Sequence, residues 1–375
     1  MNFLNLKKIE LRATAQPTNQ PTNQPGQWKV IILVYTSAKI LELLGTFAKI
    51  VPEVLKSLFM VAFPVFNPHH KLYFVYTIVF IVFILGVYYV RESKSNGFGL
   101  RKALAYCFPK SLYTKQSAIL DYQCYLINGV LAIIVSLTGF FTLSQITSDF
   151  VNQFLCGLFG KTEIQVEMTL ALKIVYTTFA VLVIDFGVFL AHYLLHKIPV
   201  LWEFHKAHHL AEGLNPITGF RYHPIDIGLK QTMKIFFLGI YMGIFGYFVN
   251  QEVKAITIAG LLISSFLFRF IIHLRHSHIW VSFGWHLSHI FQSPAMHHIH
   301  HSEKVEYYDK NFGLIFSFWD YMFGTIHVPK VREELTVGLG ESDYQNIWQL
   351  YYVPFLQAYK LVSKSLGKVA SAKAN

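Results

Sequence analysis

Residues 170–209 read LALKIVYTTFAVLVIDFGVFLAHYLLHKIPVLWEFHKAHH. Leu170–Leu195 is an apolar run long enough to cross a bilayer, since about twenty apolar residues in a helix span the hydrocarbon. The run ends in His192-x-x-x-His196, and His205-x-x-His208-His209 follows directly. Residues three and four apart on a helix share a face, so each cluster presents two or three imidazoles in one direction. A span that delivers imidazoles at its end predicts an all-α fold: a multi-span helical membrane protein with a histidine-rich, metal-binding helical cap.

The remaining histidines extend the pattern. Sixteen of eighteen fall between His192 and His327, including His297-x-x-His300-His301 and, before it, His273, His276 and His278. A lone H-x-x-x-H can be a haem or zinc site, but more often it is a pair of interfacial polar residues. Two copies of H-x-x-H-H are more specific, because adjacent imidazoles are costly to bury and repel when protonated. Imidazole suits zinc, copper, iron and nickel, and the donors outnumber what one tetrahedral ion uses, so two metal ions are expected. A haem protein or a metal transporter is the competing class. Haem needs only one or two axial histidines, and transport calls for polar residues along several spans.

Composition agrees with a membrane protein. The chain of 375 residues is 53% hydrophobic and 14% charged, against about 25% charged in soluble domains. The net charge of +11 is scattered over short loops, which suits an anionic membrane surface, and no nucleic-acid-reading motif is present. Cys107, Cys124 and Cys156 form no C-x-x-C pair, which argues against a disulfide scaffold or a thiolate site. Residues 1–27 contain a tandem polar tract, Gln16 to Pro25, with no apolar core. They are expected to be a disordered tail and not a cleaved signal peptide.

Further apolar runs cover Leu72–Val90, Cys124–Ile146 and a shorter pair, Ile235–Val249 and Ala255–Ile272. The pair predicts a tilted or re-entrant hairpin. Residues 28–66, interrupted by Lys39, Glu42, Lys49, Glu53 and Lys56, predict an interfacial helix followed by an extra span near 50–66. Loop 91–120 holds six Lys/Arg, whereas loop 147–169 holds only Lys161 beside Asp149, Glu163 and Glu167. The positive-inside rule makes the first loop cytoplasmic and brings every histidine cluster to the cytoplasmic face.

Carboxylates near the clusters are candidates for a supporting role. Asp185 lies seven residues before His192 on the same helix face. It is expected to fix a ligand imidazole through its other nitrogen, or to bond another helix. Glu203, Asp226, Asp309 and Asp320 are similar candidates. His69 and His70 are expected at the interface, His327 in solvent, and His286 and His289 either in packing or capping or in ligation.

The ordered motifs resemble the fatty acid hydroxylase / sterol desaturase superfamily over roughly residues 100–328. Besides the clusters, the resemblance rests on Trp202-Glu-Phe-His205, Arg221-Tyr-His-Pro224, Ser293-Pro-Ala-Met-His297, Asp309-Lys-Asn-Phe-Gly313 and Phe318-Trp-Asp-Tyr-Met-Phe-Gly-Thr325. It implies metal ligation by His192, His196, His205, His208, His209, His297, His300 and His301. His276 is the implied hairpin ligand, with His273 and His278 as rivals. It also implies two iron ions, O2 as co-substrate, a lipid substrate, and hydroxylation, desaturation or ether cleavage. Asp185 and Asp309 are the implied catalytic carboxylates. No G-x-G-x-x-G strand–turn–helix for a nicotinamide or flavin is present. Electrons are therefore expected from a ferredoxin or cytochrome b5 type carrier with its reductase. On this reading residues 67–330 are the catalytic domain and 331–375 a peripheral helix and tail. Tyr193 and Leu210 stand where the family often has Arg and Ser.

Overall fold

Runs of apolar residues between polar turns become helices in the computed structural model. It describes residues 25–67, 70, 72–93, 99–137, 142–162, 166–167, 169–249, 257–258, 261–262, 271–340 and 344–374. The tail through residue 24, His69 and most of the Ala255–Ile272 run lie outside these residues. The chain divides between Lys56 and Ser57 into two units. The helix α1 (Pro25–Ala62) is continuous through Pro52, where an interfacial helix and a separate span were expected.

Among the described residues four helices are long and apolar enough to cross a membrane, so this is an integral membrane protein. They are α2 (Phe74–Tyr88, running through a π-turn to Ser93), α5 (Gln116–Leu137), α7 (Leu170–Lys197) and α9 (Pro224–Val249). Short helices α3 (Leu100–Cys107) and α4 (Lys110–Tyr113) link α2 to α5. Among the described residues the only strands are two-residue pieces, Thr257–Ile258 and Leu261–Leu262.

Two sequence expectations are corrected here. Residues 147–159 are not loop but part of helix α6 (Leu143–Phe159), and Ile146 belongs to it and not to the preceding span. Helix α9 packs along both α6 and α7. The approach is close because Gly239 and Gly243 lie four apart on α9. A Cβ on Gly239 would meet Ser144 O at 2.7 Å, and one on Gly243 would meet Ser148 O at 2.6 Å. Small residues at this spacing let helices in lipid approach backbone to backbone. The other correction concerns α9, which is a full span of 26 residues and not a short hairpin arm. Its polar first turns, with Asp226 and Lys230, face the histidines.

Beyond α7 the chain turns at once into α8 (Pro199–His209), with Pro199 in the first helical turn, where its missing N–H costs nothing. The end of α8 is held by buried Arg221. Its guanidinium donates to Ala207 O at 2.9 Å and pairs with Asp121 of α5 at 3.3 Å. Helices α10 (Gly284–Ser288), α11 (Pro294–His300) and α12 (Phe318–Met322) complete the cap. Ser293 caps α11 by accepting from Met296 N. The last helix, α13 (Ile347–Ala374), packs on α8, with Phe204 and Phe355 ring centroids 5.1 Å apart.

Candidate metal centre

Three helices and one loop supply the site. The last turns of α7 carry His192 and His196, α8 carries His205, His208 and His209, and α11 with the next residue carries His297, His300 and His301. The loop after the helical turn 271–275 adds His276. These side chains sort into two groups. His192, His196, His205, His209 and His300 form one, and His208, His276, His297 and His301 form the other. Within each group the donor atoms lie within 4.8 Å of one another. Adjacent residues His208 and His209 fall in different groups because successive positions on a helix point about 100° apart.

In the first group the outer nitrogens bond oxygen. His192 Nδ1 lies 2.8 Å from Phe312 O, His205 Nδ1 lies 2.6 Å from Asp226 Oδ2, and His300 Nδ1 lies 2.8 Å from Lys310 O. His196 Nδ1 faces Asp309 Oδ1 at 3.5 Å. An Nδ1 that donates outward leaves the Nε2 lone pair pointing inward. The buried Nε2 atoms of His196, His209 and His300 have no hydrogen-bond partner. Stripping a nitrogen of water without a partner is costly, and a cation removes that cost.

In the second group the Nε2 atoms crowd one another. His276 lies 3.0 Å from His297 and 3.3 Å from His208, and His301 lies 3.2 Å from His297. Two nitrogens each about 2.1 Å from one ion at right angles stand about 3.0 Å apart. The donor set therefore fits metal in both groups. His297 differs in that Arg275 Nη2 donates to its Nδ1 at 2.9 Å. A neutral His297 in that arrangement carries its proton on Nε2, and that proton must leave for the nitrogen to ligate.

Burial pushes the imidazoles of His205, His208, His209, His297, His300 and His301 well below their usual pKa, and neighbouring imidazoles and cations add to the effect. The neutral form so favoured is the ligating form. Asp309, half-exposed at the rim, is held down at about 2 by its bond to His196 and by Lys197, whose ammonium is 2.7 Å away. A cavity of about 250 Å³, lined by His196, Trp202, His209, His300, Tyr308 and Asp309 among others, opens onto the first group.

All nine histidines expected as ligands are brought together. Of the rivals to His276, His273 packs on Phe80 and His278 on Tyr106. His327 is half-buried against Tyr307 and not free in solvent. His289 bonds Trp285 O within α10 and its C-cap, and neither His286 nor His289 joins a group. Glu203 pairs with Lys206 and touches no imidazole.

The expectation that Asp185 fixes a ligand imidazole is corrected. Its carboxylate accepts from Ile315 N at 2.9 Å, Phe316 N at 3.1 Å and Trp319 Nε1 at 3.1 Å. Asp185 is two turns below His192, at the depth of that loop and not of the imidazoles. Asp320 works similarly, accepting from Phe312 N and Gly313 N and so placing the Phe312 carbonyl that holds His192. The residue that does orient an imidazole by a carboxylate is Asp226, buried between His205 and Lys230. Its i,i+4 spacing with Lys230 in the first turns of α9 was the available sequence signal. Arg275 and the carbonyls of Lys310 and Phe312 carried none. Replacing Asp226 with Asn should lower metal affinity about 10–100-fold, the usual cost of losing such a support. Competition with a calibrated chelator measures it, and unchanged affinity would remove this role.

A family model described as fatty acid hydroxylase matches residues 177–325. Over these residues the chain is similar to the fatty acid hydroxylase family. The match to the fatty acid hydroxylase model begins in α7 and ends just after α12, so it encloses all nine grouped histidines. Ornithine lipid hydroxylase OlsE of Rhizobium tropici is 29% identical over 158 residues, 41% of this chain and 43% of that protein. Human alkylglycerol monooxygenase is 26% identical over 160 residues, 43% of this chain and 32% of that one. A putative Delta(7)-sterol-C5(6)-desaturase of Arabidopsis thaliana is 25% identical over 193 residues, 50% of this chain and 55% of that one. The chain thus spans about a third to a half of the lengths of these relatives. No solved structure matches.

Proposed function

We propose that this protein is an integral-membrane lipid oxygenase in which the nine grouped histidines hold two iron ions. The observation that carries the reading is the pair of buried imidazole groups: in one, the Nε2 atoms of His196, His209 and His300 lack partners, and in the other the Nε2 atoms crowd one another. The overall conversion takes a lipid C–H, O2, two electrons and two protons to an alcohol and water, or to an alkene and two waters. Iron supplies the oxidising power that no side chain has. The relatives named above act, by their names, on an ornithine lipid, an alkylglycerol and a sterol. The substrate class here is accordingly a membrane lipid, and ether cleavage is an outcome a product screen distinguishes.

The chain's own residues orient and exclude. Asp226 and the Phe312 and Lys310 carbonyls fix three rings of the first group. Trp202 and Tyr308 wall the small cavity, and Asp309 holds a proton at His196 Nδ1 beside it. That cavity is too small for a whole lipid and suits O2, water and proton exchange.

Electrons come from a separate carrier, of ferredoxin or cytochrome b5 type. The cap is proposed to face the cytoplasm, where such carriers reside. In support, α3 and α4 with Arg101, Lys102 and Lys110 lie on the cap side, where Cys107 packs with Leu274 and Ile279. This is the positive-inside pattern.

The test is elemental analysis of the full chain purified from iron-replete cells, followed by product analysis with lipids, O2 and reductant. About two irons per chain and an oxidised lipid are expected. One haem, or zinc alone, overturns the proposal.

A further inference from the structure

The Asp185 latch places part of the cap at an unexpected depth. Helix α7 has 28 residues and is therefore about 42 Å long, whereas the hydrocarbon layer is about 30 Å thick. Asp185 lies twelve residues, about 18 Å, before the cap end at Lys197. Even with all of the excess length on the cap side, Asp185 is at least about 6 Å inside the hydrocarbon. The backbone it holds, Ile315 and Phe316, and the Trp319 indole lie at the same depth. Residues 288–292 are carried along, because Ser317 N donates to Ile290 O, Ser317 Oγ to Ser288 O, and Gln292 N to Ile315 O.

Apart from exposed His286, the outer surface of this segment is largely apolar. Tyr321 is 68% exposed, Met322 66%, Leu287 54% and Ile290 47%. Its inner surface packs on α7, with Trp319 against Phe186 and Phe323 against Phe189, both at 5.0 Å between ring centroids. Trp285 and Lys330 line one shallow depression at its upper rim, a pairing of aromatic ring and long cation usual where hydrocarbon meets headgroups. Non-helical backbone in lipid requires its N–H groups to be satisfied within the protein, and the Asp185 carboxylate does this for two of them.

We infer that residues 284–292 and 313–323 form a wedge dipping into the cap-side leaflet, covered by lipid acyl chains and latched in place by Asp185. The wedge continues the lipid-facing surface of α7. Asp185 is thus a positioning residue. The inference rests on the membrane-spanning helices and not on the metal reading, so either can fail alone.

The test places a bimane fluorophore at Leu287→Cys, Met322→Cys or, as a control on the polar cap, Glu334→Cys. The full chain is reconstituted in nanodiscs with its three native cysteines replaced by alanine, and its thermal transition is checked against the unmodified chain. Brominated phospholipid should quench the labels at 287 and 322, and aqueous iodide should quench the one at 334. Asp185→Ala should weaken lipid quenching at 287 and 322 while a label at Phe179→Cys, on α7 itself, is unchanged. Iodide quenching at 287 and 322 as strong as at 334 overturns the wedge. So does shielding from both quenchers, which would mean that protein, such as a second copy, covers the face. If Asp185→Ala does not fold, the labels at 287, 322 and 334 in the parent that keeps Asp185 still decide the matter.

Discussion

Replacing His208 with Ala, and separately His209 with Ala, should each remove about one of two metal ions, from different places in the site. The two residues are neighbours in sequence, yet His209 belongs with His192, His196, His205 and His300, and His208 with His276, His297 and His301. Losing a supporting contact costs about 10–100-fold in metal affinity or activity, and losing a donor nitrogen itself should exceed that. Activity in both variants should therefore fall by more than about 100-fold, since one remaining ion cannot do the work of two. Metal content and the magnetic signature of the residual ion measure this. A His209→Ala variant that keeps its full metal complement and turns over would remove the assignment.

Acid should unfold the metal-free cap far more readily than the loaded one. His205, His208, His209, His297, His300 and His301 are all buried with pKa values well below the usual 6.5. Each therefore takes up a proton on unfolding at any pH between its native value and 6.5. Stability falls as pH drops through that window and recovers above it. The penalty grows with each of the six imidazoles, and a typical domain has only about 5–15 kcal/mol of stability to lose. Bound metal occupies the same nitrogens and moves the acid limb to lower pH. Thermal transitions of chelator-stripped and loaded protein at pH 7.5 and 5.5 check this. An apo transition that does not shift between those values would show that the imidazoles are not buried neutral.

The ligand histidines were legible because their signal is local: helix periodicity puts each cluster on one face. Their division into two groups was not, since His205 and His208 share a face by spacing yet fall in different groups. What was not legible depends on contacts between residues far apart in the chain. Asp185 looked like a partner for His192, which is near in sequence, but its partners are Ile315, Phe316 and Trp319. Arg275 gave no sign that it would face His297. The part of α6 from residue 147 onward was read as loop, where Ser148, Asp149 and Asn152 break the apolar run. Much of that polarity lies against the glycines of α9, where small side chains and hydroxyls are what close approach requires. The Gly239-x-x-x-Gly243 spacing was visible and predicts such a partner.

The dispersal of the imidazoles along the chain also fixes the order in which the site can come into being. His192 is made about 110 residues before His301, and both groups draw on α11, so neither is complete until nearly all the helices have been synthesised. At about 5–20 residues per second, that leaves roughly 5–20 seconds in which the histidines of α7 and α8 exist without their partners. The early imidazoles must pass through that interval without capturing stray metal in a half-built arrangement. Arg221, which ties the end of α8 to Asp121 of the already synthesised α5, gives the nascent chain a way to set α8 before any ion arrives.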